Sequence, residues 1–287
     1  MSWQLNDLLS DEDLTAYEAA ILTQFGQTDW QARRTKALED WLFPILRGRG
    51  FDPYKLRTRF EPDAVLGYTA SAYTDKVGAA KDSTTEDINL AAIFATAGTD
   101  ALYIGSETPF RGVFLRLLDS ASSAAGSLAV AYWNGAWEAL TPLSDRTKVT
   151  AGKTLSGGGS VTWPLPVDWA TRKVSTSEAL YWVKVTVTAS PTGAVASQIG
   201  CIRASALRAP VTFRTLQLIF QEAPTGADGP WREKADFYKD EAEAALHRAL
   251  PLIGGEFDTD DSDLISEAES EQTAETTGGG PFVLERA

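Results

Sequence analysis

Apolar side chains recur with helical spacing at both ends of the chain and with strand-like alternation between them. Leu14, Tyr17, Ile21 and Phe25 repeat every three or four residues, so the pattern predicts a helix over residues 10–25. Ser10 followed by Asp11, Glu12 and Asp13 supplies an N-cap and an acidic first turn, and Gly26 supplies a stop. A second helix is expected from Asp29, with Trp30, Arg34, Ala37, Leu38, Trp41 and Leu42 on one stripe and Pro44 kinking or ending it. Asp52-Pro53 then predicts a short third helix to about Arg59.

From Pro62 the period changes. Leu66–Val77, Ile88–Phe94, Ala101–Ile104 and Val113–Leu118 are expected to be extended, separated by turn residues. Leu128–Trp133, Asn134-Gly135 and Ala136–Leu140 predict a hairpin closed by a type I′ turn, since Asn-Gly tolerates positive φ at both central positions. Tyr181–Thr188 alternates apolar with polar and reads as a half-buried strand. Helical spacing returns after Pro210 with Phe213, Leu216, Ile219 and Phe220. Asp228-Gly229-Pro230 opens a last helix that Pro251 and Gly254-Gly255 stop.

The expected fold class is therefore α+β: a split α-helical bundle with an inserted antiparallel β-sandwich of jelly-roll or immunoglobulin-like type. The expected boundaries are 1–61 and 206–255 for the two helical parts, 62–205 for the insert, and 256–287 for an acidic, flexible C-terminal arm. Neither helical part alone has enough apolar face for a stable bundle. An unfolded insert of roughly 140 residues would cost on the order of 4 kcal/mol in loop closure, so the insert must fold by itself with adjacent ends.

Composition narrows the function. With 287 residues, 44% hydrophobic and 23% charged, the chain has ordinary globular content and room for two cores. Its one cysteine, Cys201, excludes an internal disulfide framework and fits a reducing compartment. No window is long and apolar enough for a membrane span, and the first residues lack a secretory pattern, so cytoplasmic synthesis without a membrane is expected. The net charge of −13 argues against DNA binding as the main purpose.

That charge is uneven. Residues 256–277 hold nine acidic residues and no basic one, whereas Arg47, Arg49, Lys55, Arg57 and Arg59 face only Asp52 between residues 47 and 60. The basic cluster reads either as a solvated helix end and loop or as a docking patch for an acidic protein or nucleic acid. Phe282, Val283 and Leu284 place a short apolar tip on the acidic arm, either a frayed terminus or a segment that docks on a partner, for example by adding a strand.

Candidate chemistry is sparse. His247 is the one histidine and has no second histidine or cysteine near it in sequence to build a metal site or a triad. Gly152-Lys153-Thr154 has part of a phosphate-loop pattern, but Thr147 stands where the upstream glycine is required, in a strand-rich context. Gly157-Gly158-Gly159 reads as a flexible loop tip. No pair among the 39 acidic residues is singled out for glycoside cleavage. No catalytic residue, cofactor or metal is expected, and the chain is not expected to be an enzyme. Trp133, Trp137, Trp163, Trp169 and Trp182 all lie in the insert. They read as core-filling rings or as a stacking face for sugars, and Trp133 and Trp137 are placed to pair across the hairpin.

The segment APVTFRTLQLIFQEAPTGADGPWREKADFYKDEAEAAL resembles the end of head-to-tail adaptor (connector) proteins of tailed bacteriophages, in which an apolar helix, a short turn and a long helix with spaced aromatic and acidic residues recur. LYIGSETPFRGVFLRL, AYWNGAWEAL, SVTWPLPVDW and ALYWVKVTV are similar to β-sandwich modules of phage structural proteins. The resemblance spans about 110 helical residues plus the insert. The large insert and the acidic tail depart from the compact adaptor.

The resemblance implies a virion protein of the neck, assembled in the host cytoplasm. It would form a homo-oligomeric ring, commonly of twelve subunits, between the portal protein and a tail or stopper protein. Double-stranded DNA would pass transiently through the channel, for which an acidic wall is suited. The alternatives are a carbohydrate-binding or host-recognition module and a baseplate or tail component.

Overall fold

A computed structural model of the chain describes residues 5–23, 25–27, 29–118, 121–223, 229–257 and 264–265. The protein is α+β with antiparallel sheets and divides into two compact units, residues 1–58 with 204–287, and residues 59–203. The division falls three residues before the first expected boundary and two before the second.

The first unit begins with short helices α1 (Leu5–Leu8) and α2 (Asp11–Thr15). The Asp13 carboxylate accepts the Ser10 backbone N–H at 2.9 Å, the reciprocal half of a capping box. The expected helix over residues 10–25 stops at Thr15, and the chain continues in turns. Leu14 and Ile21 are nevertheless fully buried while Tyr17 is exposed, so the apolar spacing marks packing positions rather than helix.

Helix α3 (Gln31–Lys36) runs through a π-helical stretch, Ala37–Leu42, into α4 (Phe43–Gly48). Pro44 therefore does not end the helix. The wider turn before it, in which Phe43 N–H reaches back to Leu38 O, accommodates a ring that an α-helical interior would reject. The third expected helix is one 3₁₀ turn, Pro53–Lys55, capped by Asp52 Oδ1 accepting from Tyr54 N–H at 3.0 Å.

The second unit opens with β1 (Arg59–Phe60), followed by β2 (Ala64–Thr69) and β3 (Ala72–Asp75), joined by Ala70 and Ser71, both with positive φ. Next come α5 (Val77–Lys81), β4 (Ile88–Asn89) and α6 (Leu90–Ile93). Residues 90–93 were expected to be extended. Asn89 accepts the Ala92 N–H at 2.9 Å and starts a helical turn there instead.

The chain then forms β5 (Ala101–Ser106), β6 (Gly112–Arg116), β7 (Leu128–Trp133), β8 (Trp137–Ala139), β9 (Ser144–Asp145), β10 (Gly159–Thr162) and β11 (Thr171–Lys173). It closes with β12 (Ala179–Val187), β13 (Val195–Ala196) and β14 (Gln198–Ile202). One sheet runs β1-β14-β6-β10-β9. A seven-stranded sheet runs β3-β2-β5-β12-β7-β8 with β11 also on β12, and β4 pairs with β13. The unit's ends meet, since Arg59 pairs with Ile202 and Phe60 with Cys201.

All residues of β5 and β14 are buried, so both faces of these strands are covered. Trp182, with no exposed surface, lies over Gly105: a Cβ there would stand 2.9–3.0 Å from the indole. Gly157–Gly159 is no loop tip. A Cβ at Gly159 would meet Arg146 O at 2.4 Å, and one at Gly158 would meet Leu117 N at 3.0 Å, so the run is small because backbone crosses it.

The chain returns to the first unit in α7 (Arg208–Gln221) and α8 (Pro230–Ala249), followed by a 3₁₀ turn at Leu250–Leu252. Gly229 and Pro230 open α8, with Glu233 in its first turn and His247 and Arg248 in its last, as the helix dipole favours. Leu14, Ile21, Trp30, Leu38, Leu42 and Leu46 from before the insert share one hydrophobic cluster with Val211, Leu216, Ile219, Phe220, Tyr238 and Leu246 from after it.

Candidate functional site

Within and between the two flanks of the helical unit lies a set of buried and half-buried polar contacts. Asp11 Oδ1 accepts Trp30 N–H at 3.2 Å and lies 2.9 Å from Arg34 Nε, while Arg34 Nη1 donates to Leu9 O at 2.7 Å. This buried pair ties α2 to α3, so Arg34 sits on the apolar stripe because a carboxylate and a carbonyl meet it there.

Polar links then cross from one flank to the other. Arg208 pairs with Asp13 and Arg33 with Glu222. Lys234 Nζ lies 2.6 Å from Glu18 Oε1, which also accepts the Tyr238 hydroxyl at 2.8 Å. Burial and then the Glu18 carboxylate hold the Tyr238 phenol above its ordinary range, so it stays a neutral donor.

Glu256 closes the junction. Its backbone carbonyl accepts Arg57 N–H at 2.8 Å. Its carboxylate accepts the Ser205 hydroxyl at 2.5 Å and the Ala206 N–H at 3.2 Å, just before α7. Phe257 bridges Leu56 and stacks on Phe51 with centroids 4.6 Å apart. Residues 256 and 257, assigned by sequence to a flexible arm, are thus buried, as are Leu264 and Ile265. Patterning missed this because a single Glu and Phe in an acidic stretch give no periodic signal.

The five basic candidates separate. Arg47, in the last turn of α4, is exposed and places its guanidinium 5.4 Å from the Tyr54 ring centroid. Arg49 is also exposed, and Lys55 is half-buried. Arg57 Nη1 donates to Tyr54 O at 2.7 Å and to Leu56 O at 3.1 Å, so it braces the turn. Arg59 belongs to the other unit and is buried, its guanidinium 3.4 Å from the Phe114 centroid. Tyr54, 57% exposed and packed edge-on against Phe43, joins Arg47 and Arg49 on the surface. Phe282, Val283 and Leu284 lie outside the described residues.

The insert has two groupings of its own. Trp133 and Trp137 pair across the hairpin, centroids 5.6 Å apart, and Arg172 lies 3.9 Å over Trp133 and 5.3 Å from Trp137. The hairpin is present but its turn is not type I′. Trp133 faces Trp137 across a three-residue loop in which Gly135 has positive φ and Asn134 does not. Asn134 is held otherwise, its Nδ2 donating to Glu138 at 2.5 Å and to Asp168 at 3.0 Å. The Tyr132 hydroxyl donates to Asp168 at 2.8 Å. The Asn134 and Tyr132 donors keep the Asp168 carboxyl below its usual range.

The second grouping is an aromatic run, Tyr68–Tyr73–Tyr103–Trp137, with neighbouring centroids 4.8, 5.6 and 5.5 Å apart and Tyr73 40% exposed. Trp163, Trp169 and Trp182 are buried.

The remaining motifs are structural. Asp145 accepts the hydroxyls of Thr147 and Thr154, so both ends of the partial phosphate-loop pattern serve one turn. Burial raises the Cys201 thiol well above its usual range, which makes it unreactive. His247 is exposed. Among the described residues, no three His, Cys, Asp or Glu side chains gather to hold a metal, and no helix is long and apolar enough to cross a membrane. No protein-family model matches the chain, and no curated protein does.

Proposed function

We propose that this protein is a non-enzymatic structural component of a virion: a head-to-tail adaptor whose copies form a ring between portal and tail and extend the DNA channel. On this reading the first unit is a split helical bundle that makes the assembly contacts, and the second is a β-sandwich carried on it. The observation that carries the proposal is the single hydrophobic cluster built from both flanks. A module that brings its flanks into one core keeps its assembly surfaces together, whatever is inserted between them.

The ring should be visible directly. Electron microscopy of the purified full-length protein is expected to show annular particles with a central hole. Strictly monomeric particles, alone and with portal protein added, would overturn the reading.

The aromatic run favours a second reading, a glycan-binding surface on the insert. Against it, Arg172 already covers Trp133, and Tyr103 is buried. Quenching of tryptophan fluorescence by polysaccharide, absent in Trp137→Ala, would support this reading over the first.

A further inference from the structure

Helix α8 packs one side against α7 and leaves another uncovered. Glu233, Asp236, Phe237, Asp240, Glu243 and His247 are exposed and spaced by three or four residues, so they form one stripe. The stripe is acidic, with an aromatic ring in its midst: Phe237 is 57% exposed. Among the described residues, no cationic side chain pairs with Glu233, Asp236 or Asp240. Arg232 and Lys239 are exposed on the helix but flank the stripe rather than enter it. Phe237 thus gives this acidic face an exposed apolar ring among carboxylates.

The same unit carries a surface of opposite character on different elements. Arg47, in the last turn of α4, and Arg49, which follows the helix, are exposed, and Tyr54, itself 57% exposed, is held edge-on by Phe43. Arg47 pairs with no carboxylate among the described residues and rests over the tyrosine ring. Arginine and tyrosine held in fixed geometry are the side chains that dominate protein interfaces, and this pair is offered to anions and to aromatic edges.

We infer that the acidic stripe of α8, with Phe237 at its centre, docks on the Arg47–Arg49–Tyr54 surface of a second copy of this chain. The argument is complementarity on one molecule: carboxylates opposite guanidinium groups, and a phenyl ring opposite a phenol. The two surfaces differ, so the contact is heterologous, and repeating it produces a closed ring where the rotation closes. The inference rests on the ring reading and supplies its contact.

Two reversals test it in the full-length protein, with oligomeric mass read by mass photometry. E233K/D236K/D240K makes both surfaces basic, and R47E/R49E makes both acidic. Each variant alone should raise the concentration for half-assembly at least about tenfold, because like charges then face each other. An equimolar mixture should assemble again, since each variant keeps the surface its counterpart needs. Far-UV circular dichroism matching the parent shows that the exposed substitutions leave the fold intact.

Assembly of either variant at the parental concentration would overturn this contact while leaving the ring reading standing. So would a mixture that stays dissociated. A parent protein that stays monomeric, alone and with portal protein added, would overturn both. Binding of duplex DNA that is lost in R47E/R49E, with the oligomeric mass unchanged, would assign the basic surface to nucleic acid instead.

Discussion

The two units reach a buried core by opposite routes. The insert is one continuous stretch, residues 59–203, whose first and last strands pair at Arg59–Ile202. The helical unit is assembled from flanks that the insert holds far apart in sequence, and it is fastened by contacts between them. Those contacts include Asp13–Arg208, Glu18–Lys234, Leu56–Phe257 and Phe25–Phe220. The difference separates two tasks. The insert's core and its paired ends lie within one stretch of chain, which spares the helical unit the entropy of a long open loop. The helical unit depends on long-range closure, and the groups that achieve it also order the surface around Tyr54.

Substitutions at the two cores should break or sharpen this contrast most strongly. Phe220 touches Phe25 from the other flank as well as Trp231 and Tyr238, and Trp182 is wholly buried in the insert. Phe220→Ala and Trp182→Ala should each remove about 3–5 kcal/mol. Calorimetry should show each variant lowering a different unfolding transition. A single transition moved equally by both would mean that the units unfold as one.

A smaller effect is expected where Gly105 lets Trp182 lie flat. Gly105→Ala puts a methyl group 2.9–3.0 Å from the indole ring and should destabilise the insert by about 1–3 kcal/mol. The helical transition should stay in place. An unchanged insert transition would show that the indole moves without cost.

The smallest effect concerns the hairpin. Asp168 titrates below its ordinary range in the fold because Asn134 and Tyr132 donate to its charged form. A depressed carboxyl stabilises the fold above its unfolded pKa, near about 4. That contribution fades as pH falls through the lower folded value. The Asn134 side-chain amide resonances should therefore hold steady above about pH 4 and shift below it, and Asp168→Asn should reduce the dependence, leaving Glu138 as the second acceptor. Steady resonances throughout acid titration would remove the carboxylate from the network.

Much of this contrast is legible in the sequence, unevenly. Helices α7 and α8 follow their periodicity and their prolines, and β7, β12 and the Trp133–Trp137 pairing follow alternation and the Asn-Gly signal. Three features escaped because long-range contacts override local pattern. Leu14, Tyr17, Ile21 and Phe25 have helical spacing, yet the segment after Thr15 is turns shaped by packing against the other flank. Pro44 reads as a kink or a stop because the π-helical turn that accommodates it has no sequence signature. The turn at Ala70-Ser71 lacks the glycine or asparagine that usually marks positive φ.

The candidate surface was half legible. Arg47 and Arg49 stand where a run of basic residues placed them. Arg57 and Arg59 were absorbed into structure by carbonyls and a phenyl ring that lie elsewhere in the chain. The stripe on α8 was visible as a helix face, but its exposure depends on which side α7 covers.

The central claim is that assembly belongs to the helical unit and that the insert is a self-folding addition. The most direct measurement compares oligomeric mass between the intact protein and a chain in which a short Gly/Ser link replaces residues 59–203. The account predicts a folded, helical protein with the same number of subunits in each particle. A folded monomer, or loss of helicity on excision, would contradict it.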